Sequence, residues 1–510
     1  MHHNTSMDVL QNIFKKVDSV SKSSKTPVYV VGGFVRDFLM GRTQKKDIDF
    51  VVVGSGLEFA KKFDEALEKK GSLVEFSDFD TARYILKITN VPVRQAGSKS
   101  QILNSEEEVT IEFAGARTEK YDPDSRKPKV EQTTLEEDLA RRDFTVNAMA
   151  VASSAFSGPR PASLSIIKKQ IIDPFDGQND LQHKLLRTPL DPDKTFSDDP
   201  LRMMRAVRFA SQLDFGIEPR TLESMHTNRE RIKIISAERI QEELFKLMAC
   251  PKPSIGLVLM WQTHLLDLVL PEISKLEGVE DVYGHQHKDN LVHTFKVVDN
   301  VAERSGKTLL RLAGLFHDIG KPATKKLLPK IGWTFYQHEH VGKKMVYGIC
   351  RRLRFSKNDT DYLAKLVRWH MQPIALMDDG ITDSAVRRLV VNLGEELEDL
   401  LILGRSDITS GNPYKKEKRL KNYDILETKI AEVLEKDKLR EFQSPLRGEE
   451  IMQLAGLKPG PTVGKIKTAI EEAILDGIIP NEYEAAKEYF SKIKDVYVPY
   501  AQAWEQNAAA

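Results

Sequence analysis

The stretch that most constrains this chain is GGFVRDFLMGRTQKKDIDF, from Gly32 to Phe50. An apolar run, VYVV, leads into the paired glycines, and Arg36-Asp37 follow. Further on, Asp47 and Asp49 alternate with Ile48 and Phe50. Alternate side chains of a strand share a face, so a strand here turns Asp47 and Asp49 one way and packs Ile48 and Phe50 behind them. Two carboxylates on one face repel each other unless a divalent cation sits between them. Mg²⁺ takes oxygen ligands and shares itself with substrate phosphates. The Gly32-Gly33 turn gives phosphate close backbone access. A DxD or a GG alone is an ordinary turn. In this order, after an apolar strand, the two imply a nucleotidyl-transfer centre.

At 510 residues the chain is too long for one core, and two to four domains are expected. A net charge of +1 means that a nucleic-acid partner must be held by local patches. Cys250 and Cys350 are the only cysteines, which excludes a disulfide framework and fits a reducing compartment. No apolar stretch reaches the length of a membrane span, and MHHNTSMDVLQNIFKKV reads as a helix start without a signal-peptide core. The cytoplasm is the expected location, and no obligatory protein partner is evident.

From residue 28 to about 150, strand-like runs (VYVVGG, DIDFVVV, ARYILKIT, VTIEFAGA) alternate with helical stretches, which predicts an α/β or α+β domain. Val91 to Glu107 reads as a long hairpin loop, Tyr121 to Val130 as another loop, and Thr188 to Pro200 as a proline-broken linker. From Leu201 onward apolar residues recur at helical spacing. NPYKKEKRLKN, Asn412 to Asn422, reads as a break before a tail. The expected divisions are 1–155, 156–250, 251–425 and 426–510.

Glu112 sits in VTIEFAGAR with the same apolar-acid-apolar pattern. It either completes the carboxylate set or is a solvated strand residue. In RRDFTVNAMAV, Arg142 and Asp143 precede an apolar run, with Asn147 one turn on if the segment is helical. An arginine and an amide there suit a triphosphate or ribose. In SDDPLRMMRAVRFA, Ser197 or Asp198 reads as a helix N-cap with Pro200 in the first turn. Arg202, Arg205 and Arg208 then share one face. Asp199 and Arg202 either form an intrahelical ion pair or read a base. A carboxylate acceptor beside a guanidinium donor matches the edge of cytosine or adenine and opposes that of uracil or guanine.

These motifs resemble the class II tRNA nucleotidyltransferases (CCA-adding enzymes), whose family also holds bacterial poly(A) polymerases. GGFVRD with DID, RRDFTVNAM, IIDPFDGQNDLQHKLLR, DDPLRMMRAVRF and SAERIQEELFKLM match in order over about the first half of the chain. The resemblance implies a polymerase-β-like nucleotidyltransferase head of α/β (α+β) class, followed by all-α neck, body and tail domains. It implies Mg²⁺ on Asp47 and Asp49, with Gly32, Gly33, Arg36 and Asp37 at the triphosphate. It implies Arg142, Asp143 and Asn147 at the ribose and in the switch between C and A, and Asp199 and Arg202 at the base. The partners implied are CTP, ATP and the 3′ end and acceptor arm of tRNA. The family's usual Glu-Asp pair is here Asp198-Asp199, which keeps the base-reading position.

The later half carries His293, His317-Asp318 in RLAGLFHDIGKP, His338, His370 and Asp407. Imidazoles and carboxylates suit Mn²⁺, Fe²⁺, Ni²⁺ or Zn²⁺, and such metals make hydroxide for attack on phosphorus. Gly320 lets the chain turn, and Lys321 is placed to meet a phosphate. The stretch resembles an HD-domain phosphohydrolase. That resemblance makes His293, His317, Asp318 and Asp407 ligands of a divalent transition metal or Mg²⁺, and aligns His338 and His370 with the extra histidines of two-metal members. His285, His287 and His340 read as surface residues. Substrates implied are 2′,3′-cyclic phosphates, 2′-nucleotides or phosphate monoesters at RNA ends. KPGPTVGK, Lys458 to Lys465, reads as a helix start that grips RNA backbone, or as a plain helix-turn-helix.

Three other readings stand beside full CCA addition. One is a poly(A) polymerase, or an A-only or CC-only enzyme. Another is mainly an HD phosphohydrolase with an RNA-binding head. The third is an RNA-binding scaffold, which the intact carboxylates oppose.

Overall fold

The computed structural model describes residues 3–42, 47–89, 106–120, 129–158, 164–278, 281–282, 285–286, 289–329, 331–437 and 444–507. The chain divides into two compact units, Met1–Leu247 with Ile255–Val269, and Met248–Ser254 with Leu270–Ala510.

The first unit opens with α1 (His3–Ser24), β1 (Val28–Val31), α2 (Gly33–Leu39), β2 (Asp47–Val52) and α3 (Gly56–Ala66). It continues with β3 (Ser72–Phe76), β4 (Thr81–Thr89), β5 (Glu106–Gly115), a ribbon of β6 (Arg117–Lys120) and β7 (Lys129–Gln132), α4 (Leu135–Ala140) and β8 (Ala150–Ala152). One sheet takes the order β3-β4-β5-β2-β1-β8. Within this sheet, among the described residues, only β2 and β5 pair in parallel; their register sets Asp47 beside Thr110 and Asp49 beside Glu112. Arg83 of β4 lies opposite Glu112.

The alternation in β2 decides which face is core. Ile48, Phe50 and Val52 are buried with α1 and α3, and Phe50 stacks on Phe113 at 5.2 Å. A side chain of that size is worth about 1.5–3 kcal/mol when buried. The opposite face carries Asp47 and Asp49 at its open end. It becomes a smaller core at Val51, where Leu139 of α4 packs with Val31, Ala148 and Ala150. The site therefore stops where α4 covers the sheet.

The helices that follow are α5 (Leu164–Gln170), α6 (Gly177–Gln182), α7 (Pro192–Asp198), α8 (Leu201–Leu213), α9 (Pro219–Asn228) and α10 (Ala237–Met248). The expected linker Thr188–Pro200 thus contains a helix. Asp191 caps α7 by accepting from the amides of Asp193 and Lys194, and Pro192 takes the first helical position, where its missing N–H costs nothing. Prolines read as breakers serve here as a helix start and, at Pro200, as the start of the next. Ser197 and Asp198 end α7 instead of capping α8. Of the expected loops, residues 90–105 and 121–128 lie outside the described residues; Glu106 and Glu107 belong to β5, and Lys129 and Val130 to β7.

The second unit is mainly helical, with short ribbons at Asp281–Val282 with His285–Gln286 and at Lys326–Leu328 with Gly332–Thr334. The helices Asn290–Arg304, Thr308–Phe316, His338–Arg352, Lys357–Trp369 and Leu397–Asp407 surround the histidine cluster. The lysine-rich stretch Asn412–Asn422 is not a break: Pro413–Asp437 is one helix, and the boundary expected at 425/426 falls inside it. Lysine, glutamate and arginine are good helix formers, and Tyr423, Leu426, Ile430 and Val433 bury one stripe of it. Gly460 and Pro461 begin the helix Pro461–Leu475, which packs with Gly448–Ala455 and Tyr483–Asn507 around Ile451, Ile466, Ile470 and Phe490.

Candidate functional site

A cleft of about 1150 Å³ opens over the polar end of the sheet face in the first unit. Asp47, Asp49 and Glu112 line it together with Gly32, Gly33, Arg142, Asp199, Arg202 and Arg205. Gly32 has φ +68 and precedes α2. A Cβ there would stand 3.1 Å from Arg142 Nη1 and 3.7 Å from Asp49 Oδ2. Both the backbone region and the space require glycine. Asp47, Asp49 and Glu112 offer only oxygen donors and share a face, which fits a hard cation such as Mg²⁺. Glu112 also meets Arg83 at 3.3 Å.

Residues lining the cleft are joined by a chain of charge-assisted hydrogen bonds. Arg36, 1% exposed, donates through Nε to Asp37 at 2.8 Å and through Nη1 to Asn147 Oδ1 at 2.7 Å. Asn147 Nδ2 donates to Asp143 at 3.0 Å, and Arg205 Nε to the other Asp143 oxygen at 2.9 Å. Asn147 lies in a short 3₁₀ turn, Thr145–Asn147, one turn after Asp143. Arg36 and Asp37 are therefore largely engaged with one another and with Asn147; Arg36 lines the cleft and Asp37 does not. Burial acts to raise the Asp143 carboxyl, but the Arg205 charge and the Asn147 hydrogen bond overcome it and hold the group well below the carboxylate range. Arg208 donates to Glu243 at 2.6 Å. The guanidinium groups of Arg36, Arg205 and Arg208 lie 5.2, 5.4 and 4.0 Å from the Phe209 ring centre, within cation–π range.

Asp199 and Arg202 line the same cleft but not as an intrahelical pair. Asp199 follows α7 in extended backbone, with φ −133 and ψ 95. Its carboxylate meets Arg239 at 3.4 Å, while Arg202 Nη2 donates to the Arg141 carbonyl at 2.6 Å.

The second unit gathers the histidines. His293, His317 and Asp407 form one triad of converging donor atoms, and Asp318, His338 and His370 a second. Asp318 faces both: Oδ2 lies 3.1 Å from His317 Nε2, and Oδ1 lies 3.4 Å from His338 Nε2. Each Nδ1 of His317, His338 and His370 is engaged by a backbone carbonyl, those of Gly314, Phe335 and Val367, at 2.7–2.9 Å. A carbonyl only accepts, so these nitrogens carry the proton, and in the neutral ring each Nε2 presents a lone pair inward. His338 and His370 Nε2 then face each other at 3.1 Å, and buried His317 Nε2 has no hydrogen-bond partner. Converging lone pairs and carboxylates fit a cation, and the carbonyls are the outer partners that orient metal-binding imidazoles. Burial, with His317 nearby, pushes His370 down to about 3. Burial would raise Asp318, but His317 and Lys321 hold it well below the carboxylate range.

Gly320 has φ −78, so it is not needed for a left-handed turn; a Cβ there would lie 2.1 Å from the His338 carbonyl. Glycine lets the His317-Asp318 turn press against the His338 helix. His340 is half-exposed beside Glu339. His285 is in the short ribbon and His287 lies outside the described residues.

Three residues at the first site escape a reading of the sequence. Asp138 precedes Arg141 and Arg142 by three and four residues, a helical spacing that marks it as their partner. Glu243 and Arg239 come from α10, a separate segment, and nothing local signals them.

Family profiles match in order: the poly A polymerase head domain over residues 28–187, the probable RNA and SrmB-binding site of polymerase A over 214–276, and the HD domain over 290–409. The CC-adding tRNA nucleotidyltransferase of Thermus thermophilus is 30% identical over 468 residues, 90% of this chain and 92% of its own. The A-adding tRNA nucleotidyltransferase of Deinococcus radiodurans is 32% identical over 360 residues, 69% of this chain and 78% of its own. The multifunctional CCA protein of Legionella pneumophila is 32% identical over 355 residues, 68% and 74%. The CCA-adding enzyme of Bacillus stearothermophilus in complex with CTP shares the fold at a TM-score of 0.61 and 21% identity, over 94% of this chain and 96% of that one. The Thermotoga maritima CCA-adding enzyme complexed with tRNA does so at 0.53 and 22%, over 95% of each. The chain belongs to the tRNA nucleotidyltransferase and poly(A) polymerase family, with the nucleotidyltransferase head and an HD domain behind it.

Proposed function

We propose that this protein adds CCA to the 3′ end of tRNA from CTP and ATP without a template. The observation that carries the reading is the cleft itself. One lining brings together the carboxylates Asp47, Asp49 and Glu112 with Asp199 and Arg202. Relatives named as A-adding and CC-adding tRNA nucleotidyltransferases and as a multifunctional CCA protein support the substrate class.

Asp47 and Asp49, with Glu112, would hold Mg²⁺, which when bound would supply charge neutralisation for the triphosphate and the attacking 3′ oxygen. Arg142 reaches the Gly32 turn, where glycine leaves room for the triphosphate. Asp143, anchored by Arg205, fixes Asn147 at the sugar. Asp199 accepts from the exocyclic amine of cytosine or adenine, and Arg202 donates to the adjoining ring nitrogen. Uracil and guanine present oxygen where Asp199 needs a donor, and a site that loses its hydrogen bond rejects strongly. The base must take the Asp199 carboxylate in competition with Arg239.

Extension of tRNA transcripts ending before CCA, after C and after CC, with each labelled nucleotide in Mg²⁺, tests this. The expected result is addition of CCA followed by a stop. Long A tails move the protein to poly(A) polymerase, and A on the CC end alone, or CC alone, to a split pathway. No extension ends the transferase reading.

A second activity rests on a separate observation, the inward-facing Nε2 lone pairs around Asp318. His293, His317, Asp318 and Asp407, with His338 and His370, would hold a divalent transition metal or Mg²⁺, and Lys321 would meet the substrate phosphate. Such a metal supplies hydroxide near neutral pH. The substrates proposed are 2′,3′-cyclic phosphates, 2′-nucleotides and phosphate monoesters, checked by phosphate release with Mn²⁺ or Ni²⁺. The protein as proposed works in the cytoplasm.

A further inference from the structure

Asp138 does not line the cleft. It lies on α4, whose N-terminus is capped by Thr134 and whose Leu139 is buried against the sheet. Its carboxylate is fully buried, and its two oxygens hold two arginines. Oδ1 accepts from Arg141 Nε at 3.0 Å and Nη2 at 2.6 Å; Oδ2 accepts from Arg142 Nη2 at 3.1 Å. Those arginines lead to opposite ends of the nucleotide site. Arg142 Nη1 ends at the Gly32 turn beside Asp49, and its Nε is buried without a partner. The Arg141 carbonyl is the seat of Arg202 Nη2, at 2.6 Å.

We propose that Asp138 is a positioning residue for nucleotide addition. One buried carboxylate sets the arginine at the sugar–phosphate end and, through Arg141, the seat of the arginine at the base end. The proposal rests on the transferase reading above. Stability does not account for the charge. A buried ion pair often stabilises no better than apolar side chains of similar volume, and α4 already has Leu139 to anchor it. What a carboxylate adds is direction. Its two lone-pair edges fix two guanidinium groups at once, and fixed geometry near a reacting centre is worth large rate factors.

The test compares wild-type protein with Asp138→Asn, Asp138→Glu and Arg141→Gln, each checked for folding by thermal melting. Measured are kcat and KM for CTP, ATP and UTP on tRNA transcripts, equilibrium binding of labelled CTP, and inhibition by inorganic triphosphate. Asp138→Asn is expected to lower kcat/KM for CTP and ATP by about 10- to 100-fold. It also weakens triphosphate inhibition and narrows the preference for CTP over UTP by roughly tenfold or more. Asp138→Glu, which keeps the charge, recovers part of that preference. Arg141→Gln narrows the preference but leaves triphosphate inhibition near wild type, because Arg142 keeps its partner.

Lower melting temperatures with unchanged CTP:UTP ratios and unchanged triphosphate inhibition would overturn the proposal and leave Asp138 a scaffold residue. Should Asp138→Asn not fold, Asp138→Glu and Arg141→Gln decide the matter by the same ratios. Should wild-type protein not extend tRNA, the transferase reading fails on its own. Triphosphate and CTP binding by the variants then still show whether Asp138 aims the arginines.

Discussion

At the scale of single residues, Gly32 and Asp143 make the sharpest demands. Replacing Gly32 by alanine puts a Cβ at φ +68 and 3.1 Å from Arg142 Nη1. Strain of this kind costs about 1–3 kcal/mol, and the displaced arginine sits beside Asp49. Gly32→Ala is expected to fold with a lowered melting temperature and to lose nearly all tRNA extension; near-normal extension would show that the turn does not touch the triphosphate. Asp143 makes a prediction about pH. Its carboxyl is held below its unfolded value, by Arg205 above all once burial is overcome. The stability it contributes is therefore full above its unfolded pKa, about 4, and is lost as pH falls towards the folded value. Urea unfolding between pH 7 and pH 3 should show a steeper loss for wild-type protein than for Asp143→Asn. Equal slopes would mean the buried pair is not formed. The aspartates of β2 and the arginines of α8 line one cleft, and the histidines form one cluster, groupings that their types and spacings suggest. Their partners were not legible in the sequence. Asp199 meets Arg239, forty residues away in sequence, and Arg202 meets a backbone carbonyl, which no side-chain pattern announces.

At the scale of elements, the sheet was the most readable part. DIDFVV alternates and then turns wholly apolar, and the structure buries Val51 where α4 closes the face. Element α7 was hidden because proline and aspartate signal both a turn and a helix start, and only the fold decides between them. Asp191 accepts from two amides that have no partner within the helix. Asp191→Ala is expected to cost about 1 kcal/mol of stability, read by urea unfolding. Because α7 leads directly into Asp199, it should also narrow the preference for CTP over UTP. A stability loss with an unchanged preference would show that Asp199 is placed by α8 and α10 instead. The helix Pro413–Asp437 was hidden for a different reason. Its first turns are exposed and charged on every side, so the apolar stripe that identifies it begins only at Tyr423.

At the scale of the whole molecule, two candidate sites lie in two separate units, and their donor sets differ in kind. The first site offers carboxylate oxygens alone, from Asp47, Asp49 and Glu112. The second offers imidazole nitrogens with Asp318 and Asp407. Hard oxygen sites suit Mg²⁺, while imidazole-rich sites hold Mn²⁺, Ni²⁺ or Zn²⁺ more strongly. After chelator treatment and dialysis, Mg²⁺ alone is expected to restore tRNA extension. Phosphate release from 2′,3′-cyclic nucleotides should return with Mn²⁺ or Ni²⁺ at lower concentrations than with Mg²⁺. Single substitutions should separate the two activities as cleanly as the metals do. Asp49→Asn is expected to lower extension by at least about 10³-fold, several kcal/mol of lost charge stabilisation, with phosphate release unchanged. His370→Ala should do the reverse. It removes one of the facing lone pairs at 3.1 Å and leaves every residue of the first unit in place. Loss of both activities in either variant would mean that the sites depend on one another, and the assignment of one chemistry to each unit would then fail.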